Sequence, residues 1–307
     1  YTIFTGMMLV QLFYWGTNQQ IIQRALGAKD LKEGQKGLLL ASFIKILGPI
    51  IVVLPGIIAF HLFQGNLESA DSAYPMLVRK VLPTAWVGFF AAVLFGAILS
   101  SFNSVLNSSV TLFGIDVYKQ HINKEADEKT IVKYGKIFGV VLAIASMFIA
   151  PLIANAGSLF DYLQEINGIY SIPILTIIVV GYLTKRVPAI AAKIGLASGC
   201  LLYITSQFFM QPYFVSKALE LAKDAGITDE AALALIEAQA YPHFLDVMAI
   251  LFIMNVVIML IIGKLYPRKE PFVQEHTKQV DITPWKYTTQ VGITICVIVI
   301  AIYIYFA

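Results

Sequence analysis

Apolar runs close to twenty residues long recur along the whole chain, and that one feature decides most of what it can fold into. Eight can be drawn, at roughly 3–26, 37–63, 86–115, 131–154, 159–183, 188–210, 243–266 and 288–306. About twenty residues of α-helix cross the hydrocarbon core of a bilayer, and a helix satisfies its backbone within its own segment. Charged residues are only 13% of the chain, about half the share in soluble proteins. The fold class is therefore an all-α polytopic membrane protein. Lysine and arginine orient it. Seventeen of the 22 basic residues fall in alternate connections, beginning with Arg24, Lys29, Lys32 and Lys36. The opposite connections hold only Arg79, Lys80, Lys217 and Lys223, and Lys45, about a third of the way along the second span, is left over. By the positive-inside rule the first span runs inward.

The first span is interrupted. Gln11-Leu12-Phe13-Tyr14-Trp15-Gly16-Thr17-Asn18-Gln19-Gln20 places a glycine followed by four polar residues inside an apolar segment. Glycine, threonine and asparagine weaken a helix, and irregular backbone at membrane depth survives only against protein or a water-filled cavity. Three aromatic rings beside such a break suit a small polar ligand, so this reads as a discontinuous helix at a substrate site. A plain helix with packed aromatics and a polar inner end is the competing reading. Ser158 to Gly168, followed by Pro173, is a second candidate break; there Gln164 is the better pocket residue, while Asp161 and Glu165 suit the outer interface.

Lys45 is costly where it stands: a mid-bilayer lysine costs about 2.5–3.5 kcal/mol on insertion scales. Pro49, four residues on, lacks the amide hydrogen that would bond the Lys45 carbonyl. A functional role is weighed against an ion pair or a lysine reaching the headgroups. The third span carries Ser100, Ser101, Asn103, Ser104, Asn107, Ser108, Ser109 and Thr111. Ala97, Ser100 and Ser101 share one helical turn, offering a carbonyl and two hydroxyls of the kind a hard cation such as sodium accepts. Small hydroxylated residues also let membrane helices pack closely, and for this turn both readings stand.

Between the spans, 64–85 is too structured in composition for a tether, and 211–242 suggests two short helices, Val215–Ala225 and Asp229–Ala240, separated by Gly226. The connection 267–287 is polar and proline-punctuated, and the last span is uniformly apolar, as a lipid-facing helix would be. His61, His121, His243 and His276 lie at span ends or in loops, Cys200 and Cys296 fit no metal or disulfide spacing, and no phosphate loop or basic nucleic-acid stripe is present. Neither an enzyme nor a nucleic-acid partner is expected. The chain opens on Tyr1 without an initiator methionine or signal peptide, and reads as the C-terminal portion of a longer protein.

Tyr14-Trp15-Gly16-Thr17-Asn18-Gln19, then Gln23-Arg24-Ala25-Leu26 and Ala28-Lys29, resembles the sodium/solute symporter family, above all its sodium/glucose and sodium/galactose cotransporters. Lys45, Leu54-Pro55-Gly56, Ala73-Tyr74-Pro75, Leu82-Pro83, Leu99-Ser100-Ser101, Leu112-Phe113 and Phe160-Asp161-Tyr162-Leu163-Gln164 continue the likeness in order. The resemblance implies a leucine-transporter-type fold of two inverted five-helix repeats. Residues 1–186 would be the second repeat and 187–307 three flanking helices, with an outer loop at 211–242. It implies sodium-coupled uptake of galactose or glucose by alternating access, in the plasma (inner) membrane. Substrate contacts would come from Lys45, Gln164, Tyr14 and Gln11, gates from Tyr14, Trp15 and Phe160, and sodium ligands from Ala97, Ser100 and Ser101. The partners implied are a small-molecule sugar, membrane lipid and the missing N-terminal repeat, without which this chain should neither hold sodium nor transport. Gln11 departs from the shorter polar residue expected there, and 64–85 is short for a sugar transporter. The alternatives are another solute of the same family (myo-inositol, sialic acid or an amino acid), or a non-transporting membrane sensor on the same fold.

Overall fold

The computed structural model describes residues 4–63, 67, 70–153, 159–273 and 280–306, without the side chains of residues 70, 160, 161 and 306. Thirteen α-helices follow in order among them. They are α1 Gly6–Gly16, α2 Gln19–Leu26, α3 Leu31–Lys45, α4 Leu54–Phe63, α5 Ala73–Val81, α6 Thr84–Leu112 and α7 Glu128–Ile153. Then come α8 Leu159–Leu183, α9 Ala189–Ile204, α10 Gln211–Asp224, α11 Glu230–Gln239, α12 Phe244–Leu265 and α13 Thr288–Phe306. Short π-helical stretches Pro49–Val53, Phe113–Ile122 and Thr205–Met210 extend three of the spans. Seven helical runs among the described residues are long and apolar enough to cross a membrane. They answer to seven of the eight expected spans; the remaining one, the first, is split into the 11 residues of α1 and the 8 of α2.

The chain forms two compact units, one of residues 1–18 with 160–276, the other of 19–159 with 277–307. This partition follows packing, whereas a boundary at residue 186 concerns internal symmetry; the two describe different things.

In the first unit α9 lies against α12 and α1 against α12. Val10, Ile172, Tyr203, Leu245, Met248 and Leu251 make one buried cluster, and Val180, Ala191 and Met259 another. Glycines allow the approach. A Cβ on Gly199 would stand 2.2 Å from Asn255 Nδ2 and 2.7 Å from Pro173 Cγ, so no larger residue fits without displacing a neighbour. Gly226, at φ +78°, makes the turn between α10 and α11, and Asp229 caps α11 by accepting the Ala232 amide at 3.1 Å. The two short outer helices read from the sequence are thus present. So is helix α5 within the connection 64–85.

In the second unit α6 packs on α7. Phe113 stacks on Phe138 at 4.2 Å and Tyr118 on Tyr134 at 4.5 Å. Asp30 caps α3 by accepting the Glu33 amide at 2.8 Å. Gln35 Oε1 accepts from the Trp285 amide (2.7 Å) and the Thr288 hydroxyl (2.8 Å), tying α13 to α3. The outer surface of α13 is apolar and exposed, with Ile300 at 58% and Ile304 at 74%, as a helix facing lipid requires. The described parts of 267–287 carry no helix.

Candidate functional site

The residues singled out in the sequence are divided between the two units, and each unit's share is described by itself. In the first unit α1 ends as its composition demands. Thr17 turns away from the helix (φ −137°, ψ −16°), and three donors converge on one acceptor. The Thr17 amide (2.9 Å), the Thr17 hydroxyl (2.8 Å) and the Asn18 amide (3.1 Å) all donate to the Phe13 carbonyl. The Asn18 bond spans five residues instead of four, so the ladder is out of step before α2 starts at Gln19. The first unit also ends here, at Asn18.

Behind the break, Phe13 is buried and meets Tyr170 edge-to-face at 5.8 Å. Tyr14, half-buried, meets Trp15 edge-to-face at 5.3 Å. The exposed Trp15 indole donates to Gln11 Oε1 at 3.0 Å, one helical turn back. Gln11 and Trp15 therefore act as a pair, and the Gln11 amide nitrogen donates to the Met7 sulfur at 3.9 Å.

Gln164 stands half-buried on the second turn of α8. Next to it, the Glu165 carbonyl accepts the Tyr203 hydroxyl at 2.9 Å, fixing this turn against α9. The second break expected from Gly168 and Pro173 does not occur: α8 runs unbroken from Leu159 to Leu183. Gly168 is there for space, since a Cβ would stand 2.3 Å from the Tyr203 ring and 2.4 Å from Met248 Cε. Pro173 is absorbed within a long packed helix against Gly199. Phe160 is in the first turn of α8, and its side chain, the expected gate, lies outside the described residues.

In the second unit Lys45 is the last residue of α3 and is exposed. Beyond it the helix is rewound around Pro49. Ile46 and Leu47 bond back three residues, to Phe43 (3.1 Å) and Ile44 (3.0 Å), and the π-helical turn then bonds Leu54 to Pro49. The backbone is thus irregular for the turn that follows Lys45.

Ala97, Ser100 and Ser101 occupy one exposed turn of α6. The hydroxyls below them bond back four residues: Ser104 to Ser100 (2.8 Å), Ser108 to Ser104 (2.9 Å), Ser109 to Val105 (3.0 Å) and Thr111 to Asn107 (2.8 Å). The Ser100 and Ser101 hydroxyls make no hydrogen bond among the described residues. They are the two hydroxyls of the strip that can turn to a cation without giving up a helix contact. Four of the strip's eight polar residues are thus accounted for locally, and the Ser100 and Ser101 hydroxyls are not among them. Among the described residues no cluster of histidine, cysteine, aspartate and glutamate is placed to hold a metal.

One feature was not readable from spacing. Arg24 of α2 donates from Nη2 to the Ser104 hydroxyl, 80 residues away in sequence. Beside this contact opens a groove of about 860 Å³ lined by Gln23, Arg24, Ser100, Asn103, Ser104 and Asn107. From the sequence Arg24 counted as inner positive charge and as part of the motif Gln23-Arg24-Ala25-Leu26.

A sequence model of the sodium:solute symporter family matches residues 2–199. Over 98% of its length the chain is 44% identical to an uncharacterized symporter, YidK, of Escherichia coli K12, covering 48% of that protein. It is 38% identical to a sodium/glucose cotransporter of Vibrio parahaemolyticus over 63% of this chain and 38% of that one. It is 34% identical to the human sodium/myo-inositol cotransporter 2 over 64% of this chain and 32% of the relative. The chain spans about half or less of the length of these curated relatives.

Proposed function

The chain belongs to the sodium:solute symporter family, an integral-membrane family, and on that premise we propose that its protein couples the inward flow of sodium to uptake of a neutral polyhydroxyl solute. The first choice is a hexose, galactose or glucose, carried by alternating access across the plasma membrane. The observation that carries the reading is the break between α1 and α2. There three donors crowd the Phe13 carbonyl, while Tyr14 and Trp15 stand beside irregular backbone in an apolar span. Lys45 and Gln164 supply donors and an acceptor suited to sugar hydroxyls, with Gln11 adding an amide N–H. Tyr14 with Trp15 forms the inner gate and Phe160 the outer one.

Sodium, as co-substrate, is taken by the Ala97 carbonyl together with the Ser100 and Ser101 hydroxyls, which carry no bond back to the helix. Sodium favours the outward-open arrangement, and its departure loosens the gate at Tyr14. Residues 1–186 form the second of two inverted repeats and 187–307 the flanking helices, with lipid around α13. The other repeat completes the site. A second solute, myo-inositol, is favoured by one observation: a sodium/myo-inositol cotransporter is 34% identical over 64% of the chain. Sialic acid and amino acids come after these, because Lys45 together with Gln164 favours a polyhydroxyl ligand over a carboxylate.

The test is uptake of labelled galactose and myo-inositol by the full-length protein in proteoliposomes. Sodium-dependent uptake that disappears in Lys45→Ala and in Ser101→Ala supports the reading. Uptake without sodium, or uptake undiminished in both variants, refutes it.

A further inference from the structure

The polar strip on α6 continues past the cation turn, and the proposed function leaves that continuation unused. Positions 96, 99, 100, 103, 104 and 107 fall on one helical face, over about 16 Å of axis. Two asparagines, Asn103 and Asn107, stand one turn apart on it. Their backbones belong to the helix, and their side-chain amides make no hydrogen bond among the described residues. That contrasts with Ser104, Ser108, Ser109 and Thr111, which all bond back to the helix. An unpaired amide in a membrane span is costly unless water, protein or a polar ligand meets it.

Across from the asparagines, α2 presents Gln23 and the guanidinium of Arg24, which is anchored on the Ser104 hydroxyl. Ser104 in turn donates to the Ser100 carbonyl at 2.8 Å, so the anchor is rigid. The groove between them, about 860 Å³, is within the range of small-molecule sites. Its lining offers donors and acceptors from three amides, two hydroxyls and a guanidinium, and no carboxylate. Such a lining matches a neutral molecule with several hydroxyls and gives nothing to neutralise a cation. Its place is the inner half of the span, because α2 leads into the lysine-rich connection at Lys29 and Lys32 and α6 descends toward Lys119.

We propose that Asn103 and Asn107, with Arg24 and Gln23, form a second, weaker station for the polyhydroxyl solute on the inner side. The proposal rests on the transport reading above. None of the main substrate residues lines this groove; only Ser100 is shared, with the cation turn. The solute therefore meets a set of hydrogen bonds on its way out instead of bare apolar wall, and the protein binds it differently from the two sides.

The experiment uses the full-length protein in proteoliposomes, with half-saturation for labelled galactose measured separately from outside (uptake) and from inside (efflux). The Asn103→Ala/Asn107→Ala double variant is expected to raise the inside value about five- to fiftyfold, the yield of two neutral hydrogen bonds, and to hold the outside value within about twofold. Arg24→Lys, which keeps the charge and loses the fork, is expected to raise the inside value alone by a smaller factor. Equal changes on both sides together with a fall in thermal stability would mean that the asparagines pack against protein, and would overturn the station. An unchanged inside value in a stable variant would overturn it as well. If the unmodified protein shows no sodium-dependent uptake, the transport reading fails and the station with it; intact transport without the asymmetry removes the station alone.

Discussion

Removing the Ser101 hydroxyl should damage sodium binding and almost nothing else. Ser101 makes no hydrogen bond to its own helix among the described residues, so Ser101→Ala leaves no carbonyl deprived of a partner. The change also trades serine for the best helix former, a gain of about 0.5 kcal/mol. What is lost is one oxygen facing a full charge, and hydrogen-bond-like contacts to charged groups contribute about 1.5–3 kcal/mol. At 1.4 kcal/mol per tenfold, half-saturation for sodium should rise about 10- to 100-fold. The assay is galactose uptake by the full-length protein, titrated with sodium at fixed solute, beside thermal unfolding in detergent. Ser108→Ala and Ser109→Ala are the controls. Their hydroxyls are committed to the Ser104 and Val105 carbonyls at 2.9 and 3.0 Å, so sodium half-saturation should stay within about twofold. Equal shifts in all three variants, or none in Ser101→Ala, would refute the argument that uncommitted hydroxyls mark the cation turn.

Other perturbations follow from contacts already described. Gly199→Ala puts a methyl 2.2 Å from Asn255 Nδ2, and the overpacking should cost about 1–3 kcal/mol, read as a lower melting temperature. Trp15→Phe keeps a ring beside Tyr14 but releases Gln11 Oε1; solute half-saturation should change about two- to tenfold with sodium half-saturation unmoved, and a change confined to sodium would argue against the Gln11–Trp15 pair. Asp127, ahead of α7, accepts the Thr130 amide at 3.1 Å, and its bonds with the Thr130 side chain and then the amide hold its pKa below the ordinary carboxylate value. The folded pKa is thus below the unfolded one. The cap stabilises at neutral pH and is lost as pH falls through the folded value, so the melting curves of the unmodified protein and Asp127→Ala should converge below about pH 3.9.

Much of this could be read from the chain because membrane depth penalises exceptions so heavily. Gly16-Thr17-Asn18 announced a break, and the break is there, because no neighbouring packing compensates for weak helix formers at a span's midpoint. Gly226 and Asp229 marked helix ends by local chemistry alone, and each sits where that chemistry acts. Gly168 and Pro173 misled for the opposite reason. The same residue types that weaken a free helix also let Tyr203, Met248 and Gly199 come close, and only tertiary contacts tell these uses apart. The Arg24–Ser104 anchor was illegible because it joins residues 80 apart. The Ser100 and Ser101 pair was visible by spacing, but its separation from the rest of the strip emerged only once the other hydroxyls were seen to bond back to the helix.

The central claim is the proposed coupling, in which sodium and one solute bind the full-length protein together. Equilibrium binding of labelled galactose to the purified full-length protein, in sodium against potassium, tests it most directly. The account predicts that sodium tightens galactose binding about tenfold or more, and that galactose tightens sodium binding by the same factor, as linkage between two sites requires. Galactose binding of equal strength in the two salts would contradict it.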